Sequence, residues 1–216
     1  LPVPDLVRGV ERFGVSEPTV RVALSRMVAA GDLRRTDAVC RLSARLVDRQ
    51  RRQDDSVHPQ TKVWRGQWEM AVVTTTGRGP ADRAELRTDL TGLRLAELRE
   101  GVWLRPANLR RPWPEHVRGQ VEHFTTKPVE PPDTLAARLW PLDSWAATAQ
   151  ALLHHFETAT EPAIRLTAAA AMVRHLLTDP VLPDELLPAP WPADALRDAY
   201  GGYRLELMDI ARGGVT

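Results

Sequence analysis

The side chains in this chain whose type and spacing fit a chemical task are arginines. Within Phe13 to Leu33, Thr19, Arg21, Val22, Ser25 and Arg26 recur on one face of a helix-forming stretch. Arg34, Arg35 and Arg41 follow within fifteen residues of Arg26. Guanidinium groups read base edges and clamp phosphate, and threonine and serine hydroxyls add polar contacts. The chemistry these types suit is recognition of double-stranded DNA, with Ser16, at the entry to the helix, as a further contact.

That face needs a helix to carry it, and Phe13 to Leu33, FGVSEPTVRVALSRMVAAGDL, supplies one. Gly14 and Val15 form a turn. Ser16 is expected to accept a hydrogen bond from a first-turn amide, Glu17 suits the positive helix end, and Pro18 is tolerated where an amide has no partner. Val20, Ala23, Leu24, Met27 and Val28 fall at the spacing of one buried face, and Gly31 provides a left-handed cap. A short helix over Pro4 to Arg12 precedes it, with Leu6, Val10 and Phe13 on one side, giving a helix-turn-helix whose second helix enters the major groove. Residues 33 to 42 form two short strands around a turn at Thr36 to Ala38, flanked by arginines, which is a wing. Winged helices ordinarily have three helices, so one preceding Leu1 is expected. An ordinary helical hairpin with a solvated basic face is the competing reading of the helix pair alone.

Charge distribution supports the DNA reading. The whole chain carries only +1, but residues 1 to 53 hold eleven arginines against six acids, so the remaining 163 residues carry −4. Including Asp54 and Asp55 lowers the excess of the basic end to +3. One cysteine, Cys40, excludes a disulfide framework and fits a cytoplasmic protein. No run of about 18 apolar residues exists and the start lacks a signal-peptide pattern, so no membrane association is expected.

Downstream, SARLVDRQRRQ reads as a helix capped by Ser43, with Leu46, Val47 and Gln50 inward and Arg45, Arg49, Arg51 and Arg52 exposed. Residues 54 to 63 read as a linker. From Trp64 the alternation of Gln67 to Thr75 predicts a buried strand. A helix over Asp82 to Leu93, a hairpin of Leu95 to Leu98 with Gly101 to Arg105, a short helix at Pro114 to Gly119 and a strand at Val121 to Thr126 complete a ferredoxin-like order. The remainder is helical: Leu142 to Glu157, then Ala163 to Leu177 with Ile164, Leu166, Ala170, Val173, Leu176 and Leu177 inward, then Ala193 to Ala211. The expected class is α+β, with a winged helix-turn-helix domain at 1–53, a ferredoxin-like domain at 64–132 and a helical domain at 133–216.

Other chemistries lack their residues. His154 and His155 are adjacent and diverge around a helix, and His116 and His123 lie across a helix-to-strand break. No Cys or His pair has zinc-site spacing. There is no GxSxG, and Gly77-Arg78-Gly79 lacks the pattern that cradles a diphosphate. Cys40 reads as a small apolar filler. No catalytic residue, metal or cofactor is expected.

Four phrases, FGVSEPTVRVALSRMVAAGDL, WRGQWEMAVV, LAELREGVWLRPANL and RHLLTDPVLPDELLPAPWP, occur in an order that resembles the PaaX family of bacterial transcriptional repressors, named for control of phenylacetic acid degradation. None is specific singly, but together they are, and the resemblance spans nearly the whole chain. It implies a Cas2-like central domain, a homodimer on palindromic operator DNA, and release by an effector such as phenylacetyl-CoA or another acyl-CoA. For that effector the candidate contacts are Trp103 and Arg105 in GVWLRP, Arg174 and His175 in MVRHLL, and Trp145, because an acyl-CoA needs cations for phosphate and an apolar slot. The wing departs from the family pattern at Cys40, where an aromatic is common. A Cas2-like nuclease needs a carboxylate at the end of its first strand, where this chain has Thr74-Thr75-Thr76, so an enzyme is not expected. A nucleic-acid-processing enzyme, or an interaction module that keeps the winged helix only as a fold, are the alternatives.

Overall fold

The computed structural model describes residues 3–36 and 39–211; Asp37 and Ala38 of the expected turn, and the side chains of Arg52 and Ala211, lie outside the described residues. By contacts the chain forms two compact units, one of residues 1–58, 149–177 and 192–216, the other of 59–148 and 178–191.

In the first unit, α1 (Val3–Glu11) and α2 (Glu17–Ala29) are followed by an antiparallel hairpin, β1 (Leu33–Thr36) and β2 (Val39–Leu42), and by α3 (Ala44–Val57). Apolar spacing on the two helices converges with the hairpin: Val3, Val7, Val20, Leu33 and Cys40 form one buried cluster, edged by Leu6, Val10, Leu24, Met27 and Val28. Ala23, expected inward, is exposed. Ser43 caps α3 by accepting the Leu46 amide at 3.4 Å, as its sequence position predicts. Leu46 and Val47 are half-buried, whereas Gln50 is exposed, and α3 continues through Asp54–Val57 of the expected linker. The later part of α7 (Leu142–Thr158), α8 (Pro162–Leu176) and α9 (Ala193–Ala211) complete this unit, α8 packing on both α3 and α9. On α8 the buried residues are Ala168, Ala169, Met172, Val173 and Leu176, while Ile164, Leu166, Ala170 and Leu177 face solvent. Apolar residues surround that helix, so its spacing alone selects no face.

The second unit is built on a four-stranded antiparallel sheet of β3 (Trp68–Val73), β4 (Ala96–Arg99), β5 (Val102–Pro106) and β6 (Val121–Thr126), in the order β4-β5-β3-β6. With α4 (Pro80–Gly92) after β3 and the short α5 (Glu115–Arg118) before β6, this is the ferredoxin-like plan the sequence order predicts. One sheet face sends Ala71 and Trp103 into a cluster with Leu86, Leu90 and Leu93 at α4. The other sends Trp68 and Leu104 against Leu135 and Ala136 of α6 (Pro132–Leu139), with Leu142, Leu182 and Leu186. Helix α6 was not singled out from sequence; Pro132 sits in its first turn, where a missing amide costs little.

Candidate nucleic-acid interface

Helix α2 is held at both ends by features the sequence encodes. Gly31 takes φ +73°, its amide donates to the Val28 carbonyl at 3.0 Å, and the Asp32 amide donates to the Met27 carbonyl at 2.9 Å. That pair of bonds is a Schellman closure, and the positive φ is why glycine occupies the position. The N-terminal end differs from expectation: Ser16 has the extended backbone of a cap, but its hydroxyl accepts no helix amide and pairs instead with the Thr19 hydroxyl at 2.9 Å. Two neighbouring hydroxyls on a solvent-facing turn thus bond each other.

The five α2 residues proposed for base reading are all exposed, Val22 to 52%. Arg21 is not idle, since Nε donates to Glu17 at 2.7 Å one turn earlier. The Ser25 hydroxyl donates to the Arg21 carbonyl at 3.0 Å. Arg26 has no carboxylate partner among the described residues. In an exposed i,i+4 pair such as Glu17 and Arg21 the attraction is only about 0.3–0.5 kcal/mol, so Arg21 exchanges partner at small cost.

On the hairpin, register places Arg34 directly opposite Arg41, and Arg35 opposite Cys40. Arg34 and Arg41 are exposed and neither has a carboxylate partner among the described residues. Like charges directly opposite on a strand pair destabilise it, so this pair favours a bound anion. Arg35 lies with Arg21 and Ser25 around a cavity of about 370 Å³ that also touches Cys40. Cys40 itself is 7% exposed and fills the core beneath. An ion pair of Arg45 with Asp32, and a bond from the Ser43 amide to the Asp32 carbonyl at 2.9 Å, tie the start of α3 to the end of α2. Among the described residues, no group of three or more His, Cys, Asp and Glu could hold a metal ion.

Within the second unit, the effector candidates Trp103, Arg105 and Trp145 lie in separate surroundings. Trp103 is buried in the α4-side cluster. Arg105 is completely buried, donating through Nη2 to Asn108 at 2.8 Å and to the Val181 carbonyl at 3.1 Å, with Nε 3.2 Å from Glu69. Burial, with Arg111 beside it, pulls that guanidinium well below its ordinary pKa, against the opposing pull of Glu69. Trp145 stacks on Trp191 at 4.6 Å and donates to Thr178 at 3.1 Å. Arg174 is exposed and His175 half-buried on α8, in the other compact unit. Sequence reading missed the polar cluster of Glu69, Arg105, Asn108 and Arg111, in which Arg111 also meets Glu69 at 2.8 Å. Its one signal was a glutamate inside the apolar phrase WEMAVV.

Comparison with known proteins follows the same order of domains. Residues 1–50 match the family described as PaaX-like protein, residues 61–132 the PaaX protein central Cas2-like domain, and residues 140–214 the PaaX-like protein C-terminal domain. A solved structure of an uncharacterized protein from Mycobacterium tuberculosis is 45% identical, with a TM-score of 0.87, over 98% of this chain and 90% of that one. No curated protein matches the chain. No described helix is long and apolar enough to cross a membrane. With a winged helix-turn-helix, a Cas2-like sheet and a helical C-terminal segment matched in sequence along nearly its whole length, the chain belongs to the PaaX family.

Proposed function

We propose that this chain is a DNA-binding transcriptional repressor, acting in the cytoplasm as a homodimer on palindromic double-stranded DNA and released by an acyl-CoA effector such as phenylacetyl-CoA. Membership in the PaaX family supports regulation of transcription. The observation that carries DNA as the partner is the exposed Arg34–Arg41 cross-strand pair, which has no carboxylate nearby among the described residues, beside a helix whose solvent face presents Thr19, Val22 and Arg26. In this reading Ser16, Thr19, Arg21, Val22, Ser25 and Arg26 contact base edges and the adjoining backbone, while Arg34, Arg35 and Arg41 hold phosphate.

An effector shifts such a protein only through unequal affinity for its DNA-competent and DNA-incompetent states, and a coupling of about 1–3 kcal/mol suffices for derepression. Footprinting on the DNA upstream of the protein's own gene, with and without phenylacetyl-CoA, tests the proposal. A symmetric protected segment that disappears with the ligand is the expected result. Protection that persists unchanged removes the effector, and the absence of any protected segment removes the repressor. Incubating the same DNA with Mg²⁺ and the protein is expected to leave it intact, because the first strand of the sheet ends at Val73 and runs into Thr74-Thr75-Thr76, with no carboxylate there.

A further inference from the structure

The second unit holds a groove of about 970 Å³ at the end of β3, bounded by the start of α4 and the β4–β5 hairpin. Its wall carries Arg78, Arg83, Arg87 and Arg99 against two acids, Glu97 and Glu100. Arg87 is committed to Glu97 at 2.6 Å and lies over the Trp103 ring at 5.7 Å. Arg83 and Arg99 are exposed and have no carboxylate partner among the described residues. Arg78 donates to Gln120 at 3.1 Å, but its Nε is buried with no partner. A bulge between Glu97 and Arg99 moves Arg99 into register with Val102, and such irregularities re-aim side chains. The floor is apolar: Val73, Pro80 and Ala84 are open to it, over the buried Leu86, Leu90 and Trp103. Where a metal-dependent nuclease would need carboxylates, Thr75 and Thr76 line this groove together with the arginines, a lining that suits an anion.

We propose that this groove binds an organic phosphate, with Arg78, Arg83 and Arg99 holding the phosphate and the apolar floor taking the carbon portion. If the effector reading above holds, this is where the acyl-CoA sits, and Trp103 is the one sequence candidate that lines it. Charge-assisted bonds from guanidinium to phosphate are the strong class, and the volume suits a ligand of cofactor size.

Calorimetric titration of the full chain, without DNA, with phenylacetyl-CoA, coenzyme A, phenylacetate and inorganic phosphate tests the assignment. Phenylacetyl-CoA is expected to bind most tightly, coenzyme A measurably, and phenylacetate not at all. Arg83→Gln and Arg99→Gln are each expected to weaken phenylacetyl-CoA about tenfold. Both residues are exposed, so unchanged thermal unfolding is the control for folding. Binding that is unaffected by both substitutions, or no binding of either coenzyme A compound, overturns the proposal. Operator affinity of the ligand-free protein, measured in parallel, reports on the repressor reading separately: phenylacetyl-CoA binding that ignores both substitutions sinks the groove alone, whereas operator binding with no ligand binding removes the effector and the groove together and leaves the repressor.

Discussion

Arg105 on β5 and Glu69 on β3 lie opposite each other in register, Nε to Oε1 3.2 Å, with the arginine side chain at 0% exposure. The pair sits in the middle of the sheet. Nη2 donates to Asn108 and to the Val181 carbonyl, Nη1 to the Arg94 carbonyl at 3.4 Å and Nε to the Pro106 carbonyl at 3.0 Å, and Val181 is held at φ +50°, a conformation rare for a β-branched residue. Arg105 therefore ties the sheet to the segment around Val181.

Removing one partner of a buried ion pair leaves the other uncompensated. Arg105→Ala is accordingly expected to lower unfolding stability by about 3–5 kcal/mol, read from urea midpoints. Because Arg105 reaches no solvent, the folded fraction should keep its DNA affinity. Unchanged stability with a lost ligand response would instead make Arg105 an effector contact.

On α2, Arg26→Ala should cost roughly 1–3 kcal/mol of binding, concentrated at one base position, whereas Arg34→Ala or Arg41→Ala should weaken all sequences alike and reduce the salt slope by about one per site. Competition against operators substituted one base pair at a time separates the two patterns. A uniform loss for Arg26→Ala would show that α2 lies across the backbone rather than in the groove.

Val22, at 52% exposure, has no core to fill. Replacing operator thymines by deoxyuridine, which removes only the methyl group, should weaken wild type at one position and leave Val22→Ala indifferent there. Equal losses for both proteins would assign that methyl group to another side chain.

Tyr203 packs edge-on to Phe156 at 5.4 Å with its hydroxyl buried and unpartnered among the described residues. Burial raises its pKa above 10, against the opposing pull of Arg165. The folded protein thus holds that proton more tightly than the unfolded chain. This contribution to stability is complete below the unfolded pKa of about 10 and is lost as pH rises through the folded value. Tyr203→Phe should leave neutral-pH stability equal or higher and flatten the alkaline decline, as followed by thermal unfolding across pH.

How far the sequence carried each element follows from where its information lay. Helix α2 was legible because apolar spacing, an entry serine and Gly31 all act within one stretch, and the ferredoxin-like order was legible because each strand alternates locally. The Ser16 contact was not: a hydroxyl cap and a hydroxyl pair with Thr19 begin from the same residues. Helix α8 misled because Ile164, Leu166 and Ala168 to Met172 leave no polar face to orient it. The Glu69–Arg105–Asn108 cluster and the arginine groove join residues distant in sequence, and only the folded sheet brings them together.

The central claim is sequence-specific, phosphate-anchored DNA binding, and fluorescence anisotropy of the full-length protein on its own upstream DNA across a salt series tests it most directly. With three arginine–phosphate contacts per copy, a dimer should show a log-log salt slope of about −5 and a clear preference over scrambled DNA of the same length. Equal affinity for scrambled DNA, or a slope near zero, would contradict it.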